Sequence, residues 1–182
     1  MKKATKNKKK ELMKKRALIA FLGVMLVFFY EYYGKDIGCK EIKGVGVRVV
    51  DGDTIVLNNE KIRLKGIDAP ESKQWCWYIG DHKEKISYKC GVESAKYLSK
   101  LIEGGERIEC TNEGKDLYGR TLSYCYVGIT NINRDMVYKG WAVGYGEFKV
   151  EELIAMYNKA GIWRGDFEMP SEWRKKRKKR RR

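Results

Sequence analysis

Two turn signals cut the stretch "GVGVRVVDGDTIVLNNEKIRLKGID", residues 44–68, into three short runs rich in Val, Ile and Leu. In the first, Val45, Val47 and Val49 alternate with Gly46, Arg48 and Val50, which predicts a strand. "DGDT" turns the chain into a second strand, Thr54–Leu57, and "NNE" is a hairpin turn signal leading to a third. That third run, Lys61–Ile67, sets Ile62 and Leu64 on one face. A chain that begins its core this way is committed to a sheet.

Residues 73–90 are polar and aromatic and read as a loop insert. A helix is expected from Gly91 to Ile102, with Val92, Ala95, Leu98, Leu101 and Ile102 as its apolar stripe and Gly104-Gly105 as its stop. "RIEC" and "TLSYCYV" read as two strands around "EGKDLYGR". A short helix follows, with Asn133 as a candidate N-cap and Gly140 as its end. A last helix covers 150–160, with Leu153, Ile154 and Tyr157 inward. Five strands in a 3+2 order, with helices between and after them, give a mainly β, α+β class. The element count fits a five-stranded oligonucleotide-binding-type barrel with about three helices, preceded by one transmembrane helix.

That leading helix comes from the distribution of charge. The formal net charge is +15, but residues 1–16 hold nine Lys/Arg and one acid, and "RKKRKKRRR" at 174–182 is wholly basic. The body between is near neutral, so the basic balance says little about its surface. Ala17–Tyr30 is unbroken and apolar, and a Tyr-rich flank extends it to Tyr33. The sequence divides into a basic cytoplasmic segment 1–16, a signal anchor 17–33, a linker 34–43, a barrel domain 44–173 and a basic disordered tail 174–182. Positive charge stays inside, so the body is expected outside the cell membrane on a single-pass anchor. Secretion after cleavage of a signal peptide is the alternative. Five cysteines suit an exported body. Cys76 and Cys90 bracket the insert, and Cys110 and Cys125 bracket a hairpin; two disulfides would leave Cys39 over. In a cytoplasmic body these would instead be buried thiols. The ligands argue against zinc, with no Cys-x-x-Cys pair and His82 as the sole histidine.

The polar residues within the strands carry the chemistry. Asp53, Asp68 and Glu71 are hard oxygen donors, and the "NNE" hairpin brings the strand ends bearing Asp53 and Asp68 together. Such donors suit Ca²⁺ or Mg²⁺. Pro70 biases Ala69 toward extended backbone and so fixes its carbonyl. Glu71 is the one nearby candidate for a general base. Arg63, mid-strand, and Arg120, after Tyr118-Gly119, are matched to phosphate oxygens. Singly, each has a bland explanation in a turn or a surface ion pair. Together, carboxylates and arginines suit hydrolysis of a phosphodiester.

"VVDGDTIVL", "IRLKGIDAPES", "DLYGRTLSYCYV" and "NINRDMVYKGWAVGY" resemble, in this order, the staphylococcal-nuclease-like thermonuclease family, and "AGIWRGDFEMPSEWR" resembles its C-terminal ending. The resemblance spans about residues 44–173. It implies the barrel above and a Ca²⁺-dependent nuclease acting on DNA and RNA, cleaving at the 5′-oxygen to leave a 3′-phosphate. By position, Asp53, Asp68 and the Ala69 carbonyl match the calcium ligands, and Glu71 matches the residue that directs the attacking water. Arg63 and Arg120 match the phosphate clamps, and Tyr118 and Tyr145 lie near nucleotide-contacting positions. The rival reading is a catalytically inactive, membrane-tethered nucleic-acid-binding barrel. The basic tail would add salt-sensitive affinity for nucleic acid.

Overall fold

A computed structural model describes residues 23, 25, 42–44, 46–103 and 107–180. The expected cytoplasmic segment, nearly all of the membrane span 17–33, Cys39 and Gly104-Gly105 lie outside these residues. Among the described residues, no helix is long and apolar enough to cross a membrane.

The first four-stranded sheet is built from β2 (Arg48–Asp51), β3 (Thr54–Leu57), β4 (Glu60–Leu64) and β9 (Thr121–Ser123), in that order. Asn58 and Asn59 both take positive φ, 52° and 64°, which is the tight turn "NNE" demands between β3 and β4. The second four-stranded sheet orders β1 (Ile42–Gly44), β8 (Ile108–Cys110), β10 (Cys125–Val127) and β11 (Thr130–Asn131). A two-stranded pair joins β5 (Ile67–Asp68) to β12 (Val143–Gly144).

The run 121–127, expected as one strand, serves both four-stranded sheets. Its first part, β9, pairs parallel with β4, and its second, β10, pairs antiparallel with β8. Tyr124 stands at the break, its hydroxyl on the Glu147 carboxylate at 2.7 Å. A strand that changes sheets makes a corner, and corners let two sheets wrap one core. Ile55, Leu57, Ile62 and Leu64 from one sheet meet Ile108, Cys110 and Cys125 from the other in that core. Burying each of these Ile and Leu side chains contributes roughly 1.5–3 kcal/mol.

Four α-helices complete the described domain, one more than expected. Helix α1 is Cys90–Ile102, α2 Ile132–Tyr138, α3 Lys149–Tyr157 and α4 Pro170–Arg180; a 3₁₀ turn covers Gly161–Arg164. The boundary read at 173/174 is not a structural one, because the basic run continues α4 as far as Arg180. Glu172 pairs with Lys175 and Glu168 with Lys176, which offsets part of its self-repulsion. Residues 42 and 43, read as linker, belong to β1.

Three side-chain assignments change. Of the expected stripe on α1, Leu98 is buried and Leu101 and Ile102 pack against the core, but in the first two turns Cys90, Gly91 and Ser94 are buried in place of Val92 and Ala95. Small residues face inward there because the helix lies close to the 51–71 segment, and Ser94 is satisfied by donating to the Trp141 carbonyl at 2.7 Å. Asn131, not Asn133, caps α2, accepting from the Arg134 amide. Asn133 is wholly buried, donating to the Lys65 and Ser123 carbonyls and accepting from the Cys125 amide. In α3, Ala155 is buried while Leu153 and Tyr157 face solvent.

The insert is a hairpin rather than a loop: β6 (Cys76–Ile79) pairs with β7 (Lys85–Tyr88). Disulfides join Cys76 to Cys90 and Cys110 to Cys125. Closing loops of 14 and 15 residues contributes about 3 kcal/mol each in the chain-entropy account. The hairpin grips the C-terminal segment. Trp77 and Asp166 exchange backbone hydrogen bonds at 3.0 and 2.8 Å, and the Arg164 guanidinium lies 4.4 and 4.3 Å from the Tyr78 and Tyr88 ring centroids. The Gln74 side-chain amide donates to the Glu168 carbonyl.

Candidate active site

Sheet register brings the charged residues together. Thr54, next to Asp53, lies opposite Arg63 across β3 and β4. Parallel pairing of β9 with β4 sets Arg63 opposite Leu122, so Arg120 emerges beside it. Asp68 ends β5, and Glu71 follows through Ala69-Pro70. Asp51, Asp53, Arg63, Glu71, Tyr118 and Arg120 line one cleft of about 240 Å³.

Two glycines permit this convergence by what they lack. A Cβ on Gly52 would stand 1.9 Å from Ser94 Oγ and 2.7 Å from Ala69 Cβ, so "DGD" needs glycine where α1 presses on the turn. A Cβ on Gly91 would stand 1.9 Å from the Glu71 carbonyl oxygen, a backbone atom. Gly91→Ala is therefore expected to destabilise the fold by about 1–3 kcal/mol through overpacking. It should also displace Glu71 and lower kcat tenfold or more, even in folded protein. Urea unfolding and single-turnover kinetics on the same sample check both effects.

Asp53 and Asp68 are only 4% and 3% exposed, and guanidinium groups hold both. Arg63 pairs with Asp53 through one nitrogen, and through the other with Asp68 Oδ1 at 3.3 Å and the Ile67 carbonyl at 3.2 Å. Burial alone would lower the Arg63 pKa, but Asp53 and Asp68 raise it above the usual value. Asp53 also accepts from Thr54 Oγ1 at 2.9 Å and from the Ala69 amide at 3.0 Å. Asp51 receives the Asp53 amide at 3.1 Å. Burial first, then the like charge of Asp53, pushes the Asp51 carboxyl up to about 6.

Arg120 is oriented by Asp116, whose Oδ2 accepts from Nε at 2.7 Å and pairs with Nη2 at 2.7 Å. Nη1 is left facing Thr54 Oγ1 at 3.4 Å. Asp116 Oδ1 accepts the Tyr118 and Arg120 amides at 2.8 and 2.9 Å, which shapes the "DLYGR" turn. Partial desolvation works against it, but these amides and the Arg120 guanidinium hold the Asp116 carboxyl below the usual range. Its place four residues before Arg120 was the available signal. Tyr118, 85% exposed, borders this cleft, whereas Tyr145 borders a neighbouring groove with Arg63, Lys65, Asp116 and Glu147.

One residue at the centre was missed from sequence. Arg174, assigned to the tail, reaches in from α4 and grips Asp68 with both nitrogens, at 2.9 and 2.8 Å. Nη1 also contacts Glu71 Oε1 at 3.1 Å. Hydrogen bonding to Asp68 is the main reason its pKa rises. It closes the motif "AGIWRGDFEMPSEWR" and opens the basic run, but residue type alone does not separate it from the eight basic residues that follow.

Residues 61–164 match the family described as "Staphylococcal nuclease homologue". The chain belongs to the staphylococcal nuclease family. Arg63, Asp68, Glu71 and Arg120 fall within the matched span; Asp53 and Arg174 lie outside it. The chain is 32% identical over 126 residues to the succinoglycan biosynthesis protein ExoI of Rhizobium meliloti, covering 66% of this chain and 64% of that protein. It is 31% identical over 156 residues to endonuclease YhcR of Bacillus subtilis, covering 74% of this chain but only 13% of that much longer protein. It is 31% identical over 144 residues to an uncharacterized endonuclease of Haemophilus influenzae, covering 72% of each.

Among the described residues, no three His, Cys, Asp or Glu side chains cluster as a ready-made metal cage. Asp53 and Asp68 are nonetheless buried, hard and anionic, the chemistry that an oxygen-seeking dication requires. With the Ala69 carbonyl they would form an open site, completed by water and phosphate. The charge they would offer a cation is met here by Arg63 and Arg174.

Proposed function

We propose that this member of the staphylococcal nuclease family is a calcium-dependent phosphodiesterase that cleaves DNA and RNA and leaves 3′-phosphate ends. The observation carrying this reading is the single cleft in which Glu71, Arg63 and Arg120 face one another beside two buried aspartates. The relatives named as endonucleases support it. A calcium ion held by Asp53, Asp68 and the Ala69 carbonyl would polarise a phosphate oxygen.

The remaining steps belong to the chain's own side chains. Glu71, whose side chain is 34% exposed, takes or steers the proton of a water attacking phosphorus in line. Arg120, braced by Asp116, directs Nη1 at a non-bridging oxygen. Arg63 turns from the aspartates toward the phosphate and meets the charge that grows in the transition state. The leaving group is the 5′-oxygen. Tyr118 and Tyr145 contact the nucleotide.

Arg174's hold on Asp68 and Glu71 favours the second reading, an inactive nucleic-acid-binding barrel whose acids are neutralised pairs. Incubating the full chain with single-stranded DNA or RNA, in calcium and in chelator, separates the two. The proposal expects cleavage in calcium that falls more than a hundredfold in chelator. Binding without cleavage would establish the inert barrel, and cleavage indifferent to chelator would remove calcium from the mechanism. We also propose that the N-terminal apolar run anchors the domain outside the cell membrane, or directs its secretion. The two disulfides support an oxidising compartment.

A further inference from the structure

We propose that the groove between residues 71–73 and helix α4 seats the single strand that runs on from the cleaved phosphate. This inference rests on the nuclease reading and deepens it. The groove, of about 440 Å³, is lined by Lys73, Trp173, Arg174, Arg177 and Lys178, together with Glu71. Glu71 and Arg174 also line the catalytic cleft, so the two spaces adjoin at the residue proposed to direct water.

The ligand class follows from the lining. Four cations face one carboxylate, and Arg174 already pairs with that carboxylate at 3.1 Å. A chain of phosphates matches this balance, since each contact releases counterions. Trp173 adds a ring surface, with the Arg177 guanidinium 4.7 Å from its centroid. Aromatic platforms beside cations are how single strands are held without sequence preference.

Both walls are built rather than trailing. Pro170 is buried at the start of α4, and Glu168 just before it binds Gln74 and Lys176. The facing wall, 71–73, runs into the hairpin stapled by Cys76–Cys90, which holds Asp166 and Arg164. Lys175 and Lys176 are paired with Glu172 and Glu168, whereas Arg177 and Lys178 line the groove.

The test combines Lys73→Ala, Arg177→Ala and Lys178→Ala in the full chain and measures anisotropy of a fluorescein-labelled thymidine 12-mer in chelator across a salt series. Affinity should fall at least tenfold, and the slope of log K against log salt should flatten by about 2, near 0.7 per lost phosphate contact. Contributions from residues 1–16 cancel in the comparison. A charge-preserving set, Lys73→Arg, Arg177→Lys and Lys178→Arg, should restore binding, which a folding defect would not predict. In calcium, the ratio of kcat/KM for the 12-mer to that for a dinucleotide should drop in the alanine set. Unchanged 12-mer affinity and slope overturn the groove, whether or not the chain cleaves nucleic acid. Cleavage of the dinucleotide with an unchanged ratio also overturns it, while leaving the nuclease reading intact. Loss of binding to phosphatidylglycerol vesicles with 12-mer binding retained would overturn it in favour of a lipid surface.

Discussion

Glu71→Gln should lower kcat on single-stranded DNA by two to four orders of magnitude, the usual range for losing a positioned proton acceptor. The amide is nearly isosteric, and its oxygen can still receive Arg174, now 3.1 Å from Oε1. The main-chain links of this segment are untouched: the Glu71 carbonyl still accepts the Gln74 amide at 2.7 Å, and the Glu71 amide still donates to Gln74 Oε1 at 3.3 Å. The variant should therefore fold and bind as the parent does, and the loss should lie in chemistry. Single-turnover rates under saturating enzyme read this directly. A rate within threefold of the parent would take Glu71 out of the proton path.

Arg120→Lys should cost about 10²–10³ in kcat, comparable to removing one preorganised donor at a developing charge. Arg120 has two tasks at once. Its Nε and Nη2 lie on Asp116 while Nη1 faces the cleft. Lysine has one nitrogen for both tasks, so it either stays with Asp116 or reaches the phosphate unbraced. Arg63→Lys should cost a similar factor, with an added loss of stability. Arg63 spans Asp53 and Asp68 with two nitrogens; a lysine keeps the charge but cannot hold both carboxylates, so the loss should fall short of the ~3–5 kcal/mol that removing one partner of a buried pair costs. Comparing the two variants by urea unfolding and by kcat separates the clamp from the structural pair. Near-parental turnover in either lysine variant would sink its role as a phosphate clamp.

Local chemistry made much of this fold legible. β3 falls where its apolar run predicts, and the Asn58-Asn59 turn supplies the backbone its residue types favour. The nearness of Asp53 and Asp68 followed from the expected hairpin. Long-range approach was not legible. Ser94 faces inward because the turn at Gly52 comes within reach, a fact absent from the periodicity of α1. Asn133 looked like a cap because Asn commonly is one; its burial depends on three partners, Lys65 just after β4, Ser123 of β9 and Cys125 of β10. Arg174 was hidden for the opposite reason. The eight residues after it are chemically like it, and the seating of α4 is what brings this one to Asp68.

The parallel pairing of β4 with β9 also has a consequence in time. Antiparallel neighbours such as β3 and β4 form as soon as their turn is made, but a parallel neighbour waits for everything between. During synthesis, which proceeds from the N-terminal end, Asp53, Arg63, Asp68 and Glu71 all emerge well before Arg120, and Arg174 later still. A nascent chain thus holds the carboxylates without Arg120. Its cleft becomes complete only after most of the polypeptide exists, so the protein is born without its chemistry and acquires it late.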